Sequence, residues 1–224
     1  MIVVESLGLL FLHVPQTGGT AIRNHLVDSF DGVTAGPYHG HLARHLEPTW
    51  RGGHYTTIAT VRNPLDATVS SHFKQRTDHK GWYSSGKLGE RRVAQAANLV
   101  ENDLDFGEWF LRYRRRVFAP SWLYAVRRAD HVMRFESLAG DLANALTRIG
   151  VTDPPPLPVD NLTARPAEID DLYRNESVRR RSHHVFAPFM AEFGYDFPAD
   201  WPPSVPMTAR LEYGVGRRLV APGD

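Results

Sequence analysis

Two kinds of hydrophobic pattern alternate along the chain. A nearly continuous apolar run at 7–14 and a β-branched, aromatic run at 55–61 predict buried strands. Shorter strands are predicted near Val33 and at 131–135. Other segments repeat apolar residues every three or four positions, which is typical of helices with one buried face. These predicted helices span about 20–30, 64–75, 90–101, 106–116, 137–149, 166–174 and 177–193.

The order of these elements predicts the fold class. Strands that alternate with helices favour an α/β fold, in which a mostly parallel central sheet is flanked by helices. We find no internal repeat and no linker that would separate two domains. The chain is therefore predicted to form a single domain over 1–224, with a core at about 7–197 and an extended, proline-rich tail at 198–224.

Composition narrows the class of protein. Hydrophobic residues make up 42%, charged residues 23% and the net charge is +1, which excludes intrinsic disorder. The absence of cysteine excludes disulfides, thiolate metal sites and a cysteine nucleophile. No apolar run approaches the roughly 18 residues of a membrane span, and no basic residue precedes the first apolar run. We therefore expect a cytoplasmic protein without a membrane partner. A nucleic-acid partner is not expected either, because the basic residues do not form one concentrated stripe.

A glycine-containing loop follows the first predicted strand and precedes the first predicted helix. This position suits a phosphate, because a helix N-terminus offers unpaired N–H groups and glycine lets an anion approach the backbone. The loop lacks the spacing of a Walker A sequence, and a purely structural turn is the alternative interpretation. Its candidate binding residues are Pro15, Gln16, Thr17, Gly18, Gly19 and Thr20.

A second candidate anion site follows the strand at 55–61. Arg62 lies at the carboxyl end of that strand, where ligands bind in open α/β sheets. Ser70 lies about two helical turns further on. The N–H groups of a guanidinium and the hydroxyl of a serine could together donate hydrogen bonds to a terminal phosphate. The alternative is an arginine that caps a carbonyl and a serine on a solvated helix face.

Together the two segments resemble the sulfotransferases that use 3′-phosphoadenosine 5′-phosphosulfate (PAPS). The matching segments, spread over about 8–197, are FLHVPQTGGT, RNPLDATVS, HVMRFESLAGDLANALTRIGV, LPVDNLT and FAPFMAEFGYDF. The resemblance implies a P-loop-like three-layer fold and a loop at 15–20 around the 5′-phosphosulfate. It assigns the 3′-phosphate to Arg62 and Ser70, and it implies adenosine 3′,5′-bisphosphate (PAP) as product without a metal ion.

A histidine-rich segment supplies the candidate base. GPYHGHLARH contains His39, His41 and His45, and its YHGH portion resembles the branch of the family that sulfates uronic acids at the 2-position. The resemblance implies His41 as the base and His39 as its acceptor-positioning partner; an imidazole suits proton transfer near pH 7. Surface histidines and a zinc site remain alternatives. Trp82 and Tyr83 are candidates for stacking on a sugar.

Gln16 occupies a catalytic position of the family, at which the resemblance implies a lysine that stabilises the 5′-phosphate and the bridging oxygen electrostatically. Glutamine donates hydrogen bonds but carries no charge, so three interpretations stay open. Another cation, such as Arg23, Lys74 or Arg76, replaces the lysine; the protein binds nucleotide without efficient catalysis; or the site serves phosphoryl transfer from another nucleotide. The first interpretation, replacement of the lysine by another cation, predicts a bacterial sulfotransferase that acts on a hydroxyl of a glycan or small natural product.

Overall fold

The computed structural model describes residues 1–36, 55–86, 88–158, 169–202 and 204–220. These residues form an α/β structure with one five-stranded sheet and nine α-helices. The strands are β1 (Ile2–Val4), β2 (Leu9–Leu12), β3 (Val33–Thr34), β4 (Thr56–Val61) and β5 (His131–Arg134). The helices are α1 (Gly19–Phe30), α2 (Pro64–Arg76), α3 (Glu90–Glu101), α4 (Phe106–Tyr113), α5 (Leu123–Val126), α6 (Leu138–Arg148), α7 (Ile169–Leu172), α8 (Glu176–Phe193) and α9 (Met207–Val220).

The sheet has the strand order β3-β1-β2-β4-β5. β2, β4 and β5 are parallel neighbours, whereas β1 is antiparallel to both β2 and β3. Every strand except β1 therefore runs in the same direction. The predicted α/β class is confirmed. The sheet is open and mixed, and its parallel part consists of β2, β4 and β5.

By its internal packing the chain divides into two compact units. The first unit comprises 1–63, 119–162 and 214–224, and the second comprises 64–118 and 163–213. The prediction of a single domain stays a prediction. Within the described part of the chain, no helix is long and apolar enough to cross a membrane.

One face of the sheet carries the core of the first unit. Phe11 on β2 lies opposite Ile58 on β4 in the parallel register, so their side chains share that face. Ile22 of α1 and Leu142 of α6 pack into the same cluster, and all four residues are buried. Burial of this apolar surface fixes the two helices on the sheet and so fixes where α1 begins.

Aromatic residues dominate the core of the second unit. Trp109 and Phe110 of α4 are fully buried and pack with Phe186 of α8. The buried hydroxyl of Tyr173 donates a hydrogen bond of 3.0 Å to the carbonyl of Leu65 in α2. This bond ties the residue that follows α7 to α2, and it gives the buried hydroxyl the partner that such a group needs.

Several predicted boundaries differ from the observed ones. The strand predicted at 7–14 is shorter, because Gly8 adopts a left-handed conformation with φ of 54° and connects β1 to β2 through a short 3₁₀ turn. The helix predicted at 106–116 ends at Tyr113. The prediction of an extended tail was wrong over α9, where helix formers follow Pro206. Of the helix predicted at 166–174, residues 166–168 lie outside the described residues.

Candidate functional site

The loop between β2 and α1 is built from left-handed residues and internal hydrogen bonds. Gln16 has φ of 66° and Gly18 has φ of 79°. The buried Thr17 hydroxyl donates to the Val14 carbonyl at 2.9 Å and forms a short hydrogen bond with the Thr60 hydroxyl on β4. Since Thr17 has only one hydroxyl proton, Thr60 is the donor in the second bond. Thr17 therefore stabilises the loop instead of offering its proton to a ligand.

Arg62 and the loop are brought together in the first unit. Arg62 directly follows β4, the parallel neighbour of β2, and its Nη1 donates to the Gln16 carbonyl at 3.1 Å. Its guanidinium carbon lies 4.1 Å from the centroid of the Phe135 ring, and the residue is only 7% exposed. The ring face attracts the guanidinium group through a cation–π interaction. Arg62 therefore caps the Gln16 carbonyl, as the alternative interpretation of this residue predicted, and its guanidinium packs on Phe135.

The two loop glycines are required by close packing. A Cβ added at Gly18 would lie 2.6 Å from Leu138 Cδ2, and one added at Gly19 would lie 2.1 Å from His13 Cδ2. Both distances are shorter than ordinary Cβ contacts, so a side chain at either position would force Leu138 or His13 to move. The glycines therefore let α1 begin against these two residues, and the side chains of Gln16 and Thr20 remain exposed.

The segment after β5 holds the neighbours of Arg62. The Asn63 N–H donates to Glu136 at 2.8 Å. Asp141 accepts from the Arg134 N–H at 2.7 Å and from the Ser137 hydroxyl at 2.9 Å. These bonds fix the backbone on both sides of Phe135. Sequence reasoning missed the role of this ring, because no local pattern pairs an aromatic residue with an arginine more than seventy positions away.

Ser70 lies on α2 in the second unit. It is 1% exposed, and within the described part of the chain its hydroxyl has no hydrogen-bond partner. The adjacent Ser71 hydroxyl, in contrast, accepts from Gln75 at 3.1 Å and from Arg114 at 3.4 Å. A buried hydroxyl without a partner is rare and calls for an explanation, and a ligand oxygen is one.

The predicted sugar-stacking residues follow a tight turn in the second unit. Asp78 accepts from the N–H groups of Tyr83 and Ser84, and hydrogen bonds from Ser84 and then Tyr83 lower the pKa of its carboxyl. Tyr83 is buried, which raises the pKa of its phenol, and therefore offers little ring surface to a sugar. Trp82 is half-buried, with its ring 5.1 Å from that of His79. The substrate-binding role of both residues stays a prediction.

The remaining predicted residues divide between described and undescribed positions. His39, His41 and His45 lie outside the described residues. Among the candidate replacement cations, Arg23 in the first unit donates to Asn24 at 3.0 Å. Arg76 in the second unit pairs with Asp103 and donates to the Leu104 carbonyl at 3.0 Å. Arg76 is therefore held by partners of its own.

Comparison with known proteins adds no assignment. No protein-family model, no curated protein and no solved structure matches the chain.

Proposed function

We propose that the chain is a PAPS-dependent sulfotransferase with a P-loop-like fold, which transfers a sulfuryl group to a hydroxyl of a glycan or small molecule. The observation that carries the proposal is the position of Arg62, which directly follows β4 and contacts the loop between β2 and α1 at Gln16. A cation at the end of one parallel strand therefore lies beside the strand–loop–helix turn of the neighbouring strand. Such a turn presents helix N–H groups to an anion, and the carboxyl ends of parallel strands are the usual ligand site of an α/β sheet.

The proposed donor site uses the loop and two further residues. Residues 15–20 would surround the 5′-phosphosulfate, with the exposed Gln16 and Thr20 side chains as the accessible donors. Thr17 would act through the loop conformation, because its proton is bonded to the Val14 carbonyl. Following the family resemblance, Arg62 and Ser70 would bind the 3′-phosphate, and the unpartnered Ser70 hydroxyl fits a role as donor to it.

PAPS, when bound, supplies an electrophilic sulfur and PAP as the leaving group. In the proposed transfer, the acceptor oxygen bonds to sulfur while the bond between sulfur and the bridging oxygen breaks. His41 takes the acceptor proton and His39 positions the acceptor, as the resemblance implies. The N–H groups of the first turn of α1 would stabilise the negative charge left on the phosphate.

A second candidate function is nucleotide binding without efficient transfer. It is favoured by Gln16, whose exposed amide carries no charge where the family has a cation. Loss of one such electrostatic contact costs on the order of 10²–10³-fold in rate. Both candidates require PAP to bind, and only the first requires transfer of labelled sulfate from PAPS to an acceptor.

Substitution of Ser70 by alanine tests the donor site without disturbing the fold. Since the hydroxyl has no partner to lose within the described chain, we expect Ser70→Ala to leave stability unchanged. The same variant should weaken PAP binding about tenfold, the effect of one hydrogen bond to a charged group. Isothermal titration calorimetry with PAP measures the affinity, and urea denaturation measures the stability.

Ser71→Ala is the matched control. It removes a hydroxyl that bonds Gln75 and Arg114, so it should lower stability while leaving PAP affinity within about twofold. Failure of the wild type to bind PAP up to about 1 mM would contradict the proposal as a whole. Equal loss of affinity in both variants would remove Ser70 from the site.

Gln16→Lys tests whether the loop faces the 5′-phosphate. The side chain is exposed and the backbone is already left-handed, so lysine adds charge without new strain or contacts. We expect PAP to bind about tenfold more tightly at low salt, with the gain reduced as ionic strength rises. Gln16→Met separates the effect of charge from that of side-chain length. Unchanged affinity in Gln16→Lys would place the 5′-phosphate away from this loop.

A further inference from the structure

A cavity of about 460 Å³ lies within the second unit, between α3 and the end of α4. This volume is typical of small-molecule sites. Its described lining contains three arginines and no aspartate or glutamate. The lining residues are Arg91, Arg92, Ala94, Gln95, Tyr113 and Arg114. The cavity is therefore strongly positive and large enough for more than a single inorganic ion.

Arg114 is held in place by uncharged groups. Its Nη2 donates to the Ser71 hydroxyl at 3.4 Å, and its guanidinium carbon lies 4.7 Å from the centroid of the Trp109 ring. Burial lowers the pKa of Arg114 to about 10, with a smaller contribution from the neighbouring charge of Arg92. Within the part of the chain that the structure describes, no carboxylate pairs with Arg114. Its charge is ordered and half-buried but not neutralised.

The cavity wall also contains a buried amide and a fixed aromatic ring. Gln95 Nε2 is buried and, among the described residues, has no hydrogen-bond acceptor. The Tyr113 hydroxyl donates to Asn98 Oδ1 at 2.8 Å, and Arg112 donates to the same oxygen at 2.8 Å. The Tyr113 ring is therefore held at the wall. An oxyanion is the group that can accept from an amide N–H and from guanidinium groups together.

We propose that this cavity binds a small ligand through a sulfate or carboxylate group, held by Arg91, Arg92 and Arg114 with the Gln95 amide as a further donor. The rest of the ligand is neutral and lies against Tyr113 and Ala94. None of the residues that line this cavity is among those proposed to bind the nucleotide.

The test compares three sugars that differ in one group. Glucose 6-sulfate, glucuronate and glucose are titrated into the full chain, and binding is measured by ligand-observed NMR. We expect the two anions to bind with dissociation constants of about 1 mM or below, and glucose to bind at least about tenfold more weakly. The sulfate and the carboxylate together show which oxyanion the cavity prefers.

Two charge-matched double variants locate the binding. Arg91→Gln/Arg92→Gln removes two exposed arginines from the cavity and should weaken both anions at least about tenfold. Arg115→Gln/Arg116→Gln removes two exposed arginines that do not line it and should change affinity less than about threefold. Equal weakening in the two variants would mean a general charge effect and would overturn the site.

Titration with saturating PAP separates this site from the nucleotide site. We expect the anions to bind equally well with and without PAP. Displacement of both anions by PAP, absence of binding by either anion up to about 50 mM, or binding of glucose as tightly as the anions would each overturn the proposal. If PAP itself does not bind, the proposed function fails while the comparison of sugars and variants still decides on this cavity.

Discussion

Replacement of Gly19 by alanine should destabilise the protein by about 3 kcal/mol, at the upper end of the usual cost of overpacking. The added Cβ would lie 2.1 Å from Cδ2 and 2.4 Å from Nε2 of His13. His13 is buried and stacks on Phe11 with ring centroids 5.9 Å apart, so the ring has little room to move. Urea denaturation followed by circular dichroism measures the change in unfolding free energy.

Gly140→Ala is the control for the same substitution in an open position. A Cβ at Gly140 meets no described atom within 4 Å, and the residue lies in α6, so alanine should be neutral or stabilising by up to about 1 kcal/mol. In a His13→Ala background, Gly19→Ala should cost less than about 1 kcal/mol, because the collision is removed. A cost that is unchanged in that background would mean that the ring is not the cause.

Elements with a strong local pattern could be predicted from the sequence. The β-branched run at 55–61 forms β4, and the periodic segment at 90–101 forms α3. The short strand near Val33 is also present. In each of these segments the side chains that determine the element are close in sequence, so local preference and tertiary packing agree.

Features that depend on distant residues could not be predicted. Strand β1 precedes the first apolar run and depends on antiparallel pairing with β2, in which Val3 lies opposite Leu10. This pairing could not be predicted because the sequence pattern shows which conformations a segment tolerates, whereas packing against other segments decides which one it adopts.

The candidate site shows the same limit at the level of single residues. Sequence reasoning could select the loop at 15–20 and Arg62, since both are tied to predicted strand ends. It could not show that Thr17 is bonded to Thr60, or that Phe135 supports Arg62. These contacts join separate strands, and no spacing in the chain marks them. They change the expected role of Thr17 from ligand donor to loop support.

His72 is a buried histidine whose environment opposes its charged form. It lies on α2 among the rings of Phe73, Phe106 and Trp109, with centroids 5.1 to 5.5 Å from its own. Neither ring nitrogen has a well-formed hydrogen bond within the described chain, although the Leu104 backbone is close enough to oppose the fall in the pKa of His72. Burial lowers the pKa of His72 to about 4 from its ordinary value of 6.5, and the smaller effects of other groups do not reverse this. The folded protein therefore holds His72 neutral.

Acidification should therefore destabilise the protein before most carboxylates titrate. The unfolded chain binds a proton at His72 below a pH of about 6.5, whereas the folded chain does so only below about 4. Stability from the neutral form is complete above the unfolded pKa and is lost as the pH falls through this window. We expect a loss of about 2 kcal/mol between about pH 7 and about pH 5, rising to about 3 kcal/mol below pH 4.

Comparison with His72→Leu isolates this contribution. Leucine keeps an apolar side chain among the three rings but does not titrate. Between pH 7 and pH 5 the variant should therefore lose about 2 kcal/mol less stability than the wild type. Urea denaturation of both proteins across this pH range gives the difference between their unfolding free energies. The contributions of the other histidines and of the carboxylates are the same in both proteins and cancel in this difference. Parallel pH profiles for the two proteins would mean that His72 becomes protonated in the folded state without cost. In that case the aromatic cluster must open to admit water to the imidazole, and the packing of α2 against α4 would be looser than these contacts imply.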